Sequence, residues 1–224
     1  MAQTTAAQYA AIQAAYDHFN MALWGGALPQ CLITFQRKAK TLGYFRGGGF
    51  VSRTGGGTTD EIALNPDGFT GQSDLEILGT LVHEMAHLWQ HRVSGRPCRP
   101  AYHDRVWSAE MQRVGLMPSD TGQPGGKTTG QRMNHYTIGG GAFEAAAVLF
   151  LAPRPAFIWQ SAGGGRSGTP PSKVKYACPA CGNAVWGKPG MAIVCGNGAA
   201  HPSVTAHQNM AIHAKIGGQI VMMV

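Results

Sequence analysis

The chain runs to 224 residues, 44% hydrophobic and only 13% charged, with 32 glycines; this suffices for one good-sized domain plus a small appendage and excludes a collagen-like or wholly disordered polymer. A formal net charge of +7 and a pI near 9.4 favour acidic partners, nucleic acid among them, although no block of five or more Lys/Arg forms a basic arm. The cysteines (Cys31, Cys98, Cys178, Cys181, Cys195) are odd in number and make a poor disulfide framework. No apolar run approaches the ~18 residues of a membrane span, and Met1 to Tyr16 lacks the basic and apolar regions of a signal peptide, so the expectation is a cytoplasmic protein with no membrane partner.

Tyr9, Ile12, Tyr16, Phe19 and Leu23 recur at steps of three and four, which predicts a helix with one apolar face, ended by Gly25-Gly26. Leu32–Phe35, Leu42–Phe45 and Glu61–Leu64 read as short strands, the last two joined by a loose Gly-rich hairpin from Gly47 to Gly57. Asn65-Pro66-Asp67-Gly68 is a turn. Ser73-Asp74-Leu75-Glu76 is a capping box, and it opens a helix running to about Val93 with Leu75, Leu78, Val82, Met85 and Trp89 as its apolar stripe. Gly95 and Pro97 close it. A further helix is expected from Asp104 to Val114, burying Val106, Trp107, Met111 and Val114. Thr121–Gly130 reads as a polar loop and Phe143–Leu149 as a short helix. Helix, strands, then helices argues for an α+β fold. The expected division is a domain over residues 1–160, a Gly/Ser/Pro-rich linker over 161–175 and a C-terminal segment over 176–224.

His83-Glu84-Met85-Ala86-His87 fits H-E-x-x-H within the capped helix. Four residues are about one turn, so both imidazoles face one side about 6 Å apart along the axis and can hold one ion. Glu84 lies beside the first of them and can act as general base on a water that zinc acidifies. The plain alternative is two histidines on a solvated helical face. A catalytic zinc needs a third protein ligand and an open position. His91 lies about 12 Å along the axis from His83, too far for one ion on a straight helix. His103, brought back by the loop containing Gly95, Pro97 and Pro100, is the better candidate; Asp104 and Glu110 are weaker ones.

The segments Glu61–Asn65, Thr80–Trp89, Tyr102–Trp107 and Gly115–Ser119 together resemble the SprT-like metallopeptidase family, which includes Spartan, the DNA–protein crosslink protease, and bacterial and phage relatives. The resemblance covers Tyr9 to Ser119. It implies a zincin-like core of N-terminal helix, small sheet and active-site helix, and a third zinc-ligating histidine at the position of His103. It also implies a peptidase acting on proteins, DNA-bound ones among them. The metzincin continuation is absent, with Gln90 where its Gly would stand.

Cys178-Pro179-Ala180-Cys181-Gly182 has the spacing of a zinc knuckle. SprT-like proteins often carry a C-terminal zinc ribbon with a second Cys pair, but here Cys195 is followed by Gly198 where the fourth Cys would be. His201 can complete a Cys3His site holding a second, structural zinc, with His207 as the weaker choice; otherwise the thiols pack as small apolar groups. Lys173, Lys175 and Lys188 with Tyr176 and Trp186 suit a nucleic-acid surface, unless the aromatics form the small core. Asn134-His135-Tyr136 offers an oxyanion-stabilising side chain that nothing in the spacing places. Two further functions stay open beside the peptidase: a non-catalytic zinc-containing module that binds nucleic acid, and a zinc hydrolase for small amides. Glu84 favours the peptidase, since a pure binder has no use for a base beside the metal.

Overall fold

The N-terminal apolar face forms helix α1 (Thr4–Trp24), which buries Ile12, Tyr16 and Phe19 completely and ends at Gly25. Tyr9 departs from the expected face: it is 42% exposed and packs only edge-on against Phe35, at 5.4 Å between rings. Trp24, one residue beyond the expected stripe, is buried instead, because its indole N–H donates to Glu110 Oε1 at 2.7 Å. These details come from a computed structural model that describes residues 3–152, 159–162, 173–178, 181–193, 195, 214–216 and 219–221. The chain divides into two units, Met1–Gly163 and Gly164–Val224.

The first unit is α+β. Strands β1 (Leu32–Phe35), β2 (Gly43–Val51) and β3 (Thr58–Leu64) form a sheet in the order β1-β3-β2, with β3 parallel to β1 and antiparallel to β2. β2 is longer than its sequence suggests. It continues through Gly47–Gly49 to Val51, because Arg46 pairs with Glu61 and Phe50 with Thr59, and the three glycines, with Gly48 at φ +60°, form the irregularity between those pairs. A 3-10 turn (Pro66–Gly68), with the Asn65 side chain accepting from the Asp67 N–H, leads to helix α2 (Asp74–Arg92).

The capping box at Ser73 and Glu76 is formed in both directions. α2 buries far more than one stripe. Ile77, Leu81, Ala86 and Leu88 join Leu78, Val82 and Met85 in the core, because α2 packs against β2 and β3 and against the other three helices of the unit. Helix α3 (Arg105–Arg113) buries Trp107 and Met111 against α2. Strands β4 (Leu116–Ser119) and β5 (Asn134–Thr137) form an antiparallel pair, and helix α4 (Ala142–Leu151) stacks Phe143 on Phe19 of α1. Trp159 and Ser161 also belong to this unit: their N–H groups donate to Gln8 Oε1 at 3.1 Å and to the Pro66 carbonyl at 3.3 Å.

The second unit contains a four-stranded sheet in the order β7-β6-β8-β9, formed by β6 (Val174–Ala177), β7 (Ala184–Gly187), β8 (Ala214–Ile216) and β9 (Gln219–Val221). Residues 163–172, most of the expected linker, lie outside the described residues, as do Gly198, His201 and His207. Among the described residues no helix is long and apolar enough to cross a membrane.

Candidate metal centre

Three elements converge on the middle of α2. The helix presents His83 and His87 one turn apart, with ring centroids 5.3 Å from one another. His103 arrives just ahead of α3, its ring 5.4 Å from that of His83 and 4.7 Å from that of His87. One ring nitrogen from each histidine lies within 4.8 Å of the other two, so the group can hold a metal ion. Trp107, fully buried, backs all three imidazoles at 4.8, 5.2 and 4.4 Å.

His103 is fixed from two sides. Asp104, one residue on, caps α3 by accepting from the N–H groups of Val106 and Trp107, and it also accepts from Gln90 Nε2 of α2 at 2.8 Å. On the other side the His103 N–H donates to the Gly130 carbonyl at 2.8 Å, and its Nδ1 lies 3.1 Å from the same oxygen. A carbonyl only accepts, so Nδ1 carries the proton and Nε2 keeps the lone pair a metal needs. Asp104 therefore serves as a cap rather than as an alternative ligand. Glu110 also stands outside the three-histidine group: it accepts from Trp24 and pairs with Arg113 at 2.6 Å. His91 is exposed, tilted against Phe45 at 5.5 Å and outside the three-histidine group.

Burial sets the protonation of the site. It lowers His83 well below the usual imidazole range, with His87, His135 and His103 adding to the shift, and it brings His87 down to about 3. His103 is lowered by the same cause. All three are neutral near neutral pH, the form in which imidazole binds a metal. Burial pushes Glu84 up to about 8, against a Phe45 N–H that stabilises the carboxylate. A cation at the adjacent histidines favours the ionised form again. Gly43 of β2 makes this arrangement possible, since a Cβ there would lie 2.9 Å from the Ala63 carbonyl and 3.2 Å from Glu84 Oε1.

The site floors an open cleft of about 1150 Å³, lined by residues 43–47 of β2, by the loop from Cys98 to His103 and by residues 131–135. Lys38, Lys40, Arg46, Arg99 and Arg132 stand on its walls, and none of them forms an ion pair among the described residues. His135 lines the cleft, whereas Tyr136, its neighbour on β5, does not. His135 Nδ1 lies 3.2 Å from His83 Nδ1.

In the second unit Cys178, Cys181 and Cys195 form another group able to hold a metal ion, their sulfurs within 4.8 Å of one another and those of Cys181 and Cys195 3.5 Å apart. The knuckle is built by the Gly182 N–H donating to the Cys178 carbonyl at 2.9 Å and the Cys178 N–H donating to the Asn183 carbonyl at 2.8 Å. Tyr176 is buried, its hydroxyl donating to the Lys188 carbonyl at 2.7 Å, so it belongs to the small core and not to a stacking surface. Trp186 is 64% exposed and sits opposite Lys175 in the β6–β7 register.

The family model described as SprT-like matches residues 12–128, just over half of the chain, from α1 to the loop after β4. An uncharacterized protein in the mucB 3' region of Salmonella typhimurium is 50% identical over 54 residues, which cover 24% of this chain and 73% of that protein. No solved structure matches.

Proposed function

This chain belongs to the SprT-like family, and we propose on that premise that it is a zinc-dependent peptidase with a zincin-like core, whose ion is held by His83, His87 and His103. The observation that carries this is the buried Glu84 carboxyl beside three neutral imidazoles on the floor of an open cleft. Three nitrogen donors with a side left open to solvent suit zinc. Zinc held there supplies Lewis acidity, lowering the pKa of water and polarising a peptide carbonyl.

The chain's own residues supply the rest. Glu84 takes the proton of the attacking water and passes it to the departing amine. The Phe45 N–H orients the carboxylate toward that task. β2 is an edge strand of its sheet, and its residues 43–47 run along the cleft. An extended polypeptide can pair with such an edge, which favours a protein substrate over a small amide. The cations on the cleft walls and the Lys175–Trp186 pair on the second unit's sheet support a substrate bound to nucleic acid. Cys178, Cys181 and Cys195 then hold a second, structural zinc.

The same basic residues and exposed Trp186 also suit a module that binds nucleic acid without catalysis. Incubation of the zinc-loaded protein with a DNA-binding protein, with and without single-stranded DNA, separates the two. Fragments that appear faster with DNA are expected, because tethering raises the local substrate concentration. Heparin should not substitute. Tight DNA binding without fragments under any condition leaves the binding module; fragments at a rate indifferent to DNA leave an undirected peptidase.

A further inference from the structure

We propose that His135 is a positioning residue for His83: its Nδ1 accepts the His83 Nδ1–H and so turns the other His83 nitrogen toward the ion. This rests on the three-histidine group being the metal centre. The two Nδ1 atoms are 3.2 Å apart, a hydrogen-bond distance that requires one proton between them. A neutral imidazole has one N–H and one lone pair. If His83 ligates through Nε2, its proton sits on Nδ1 and needs an acceptor. Metal-bound histidines usually find that acceptor in a carboxylate, a carbonyl or water, as His103 finds the Gly130 carbonyl. Among the described residues the His83 ring has one hydrogen-bonding partner, and it is His135. His135 itself stands outside the group of nitrogens that converge within 4.8 Å.

A second observation concerns how His135 reaches the helix. It comes from β5, on the β4–β5 pair, where it lies opposite Pro118. Its ring lies over α2 at Gly79, one turn before His83. A Cβ on Gly79 would lie 2.8 Å from His135 Nε2, closer than a real Cβ approaches a ring. The helix thus carries a ligand and, one turn earlier, the bare backbone that lets the ligand's partner lie against it. An alanine there gains helix propensity of about 1 kcal/mol but collides with the imidazole. Glycine in the middle of a buried helix therefore has a local reason.

The test is metal affinity of the full chain, measured by chelator competition for wild type, His135→Ala, His135→Gln and Gly79→Ala. Cobalt substitution separates the two centres, since only the cysteine group gives thiolate-to-metal charge-transfer absorption. His135→Ala should weaken binding at the histidine centre about 10–100-fold. His135→Gln, whose side-chain oxygen can accept the same proton, should recover most of the loss. Gly79→Ala should weaken binding in the same direction while raising or preserving the melting temperature of the metal-free protein. X-ray absorption should count the same number of imidazoles on zinc in wild type and His135→Gln. Unchanged affinity in His135→Ala overturns the proposal, as does a lower metal-free melting temperature with affinity intact, which marks a merely structural role. Loss of one imidazole from the zinc shell in His135→Gln also overturns it, by making His135 a direct ligand. If wild type itself takes up no metal at the histidines, the metal-centre assignment fails first, and that result is distinct from all of these.

Discussion

The two candidate metal groups differ in what surrounds them. The histidine group is set into a core: α2 is capped, buried on nearly every side and backed by Trp107, and each imidazole's place is fixed by packing or by a partner such as Gly130. The cysteine group lies in a small sheet unit whose buried described residues are Tyr176 and Cys178, with Val185 and Trp186 exposed. The first is a group of imidazoles arranged by the fold's own packing. In the second, a metal held by the thiols would help make the fold, since among the described residues of that unit few apolar side chains are buried.

That contrast can be broken at either end. The largest expected effect is at the histidines. His103→Ala leaves two protein ligands, so the ion should be lost on gel filtration, while the far-UV spectrum and melting temperature stay near wild type. His91→Ala should keep it. Zinc retained in His103→Ala but lost in His91→Ala would reverse the ligand assignment. At the other group, Cys181→Ser should remove a second zinc and abolish hydrogen-exchange protection across β6–β7, leaving α2 protected. Protection unchanged after Cys181→Ser would mean that the small sheet stands without metal. One zinc per wild-type chain would point to thiols that pack without a metal.

Smaller effects test the scaffold of the first unit. Asp60 is buried, and burial raises its carboxyl. The Arg92 guanidinium at 2.6 Å and the Gly48 N–H at 2.7 Å outweigh this and hold its pKa below the ordinary value. A depressed folded pKa gives stability that is present above the unfolded pKa and lost as pH falls through the folded one. Asp60→Asn should therefore cost about 1–2 kcal/mol near neutral pH, discounted because Arg92 is 41% exposed, and should flatten the acid limb of the stability curve. An acid limb identical to wild type would mean that Asp60 contributes no pH-dependent stability. Ser73→Ala should cost about 1 kcal/mol in urea melts through loss of the cap; no change there would mean that α2 is held by packing alone.

What the sequence disclosed follows the range of each interaction. α2 was legible because its signals are local: a capping box at one end, two histidines one turn apart, apolar residues at helical spacing. His103 could be reached because Gly95, Pro97 and Pro100 force the chain back, and because the segment resembles a known family. His135 could be named but not placed, since its approach depends on β5 pairing with β4 across a glycine-rich loop, and no local pattern encodes that register. Gly79 gave no signal at all; a glycine inside a helix reads as a weak spot until the side chain resting on it is seen. The continuation of β2 through Gly47–Gly49 was hidden for a similar reason, because the pairs with β3 on either side of the glycines, not the glycines themselves, carry the strand across the irregularity. Tyr9 fits the helical spacing yet stays exposed and edge-on to Phe35, while its neighbour Gln8 is buried and bonds the Trp159 backbone.

A catalytic zinc centre at the histidine group, with Glu84 as its base, would separate metal binding from turnover in a single substitution. Wild type and Glu84→Gln are compared for zinc content and for cleavage of the same protein substrate. Glutamine keeps the shape but cannot take the water's proton. Equal zinc and a loss of cleavage of about 10²–10⁴-fold are expected. Cleavage within a few-fold of wild type, with zinc retained, would contradict it.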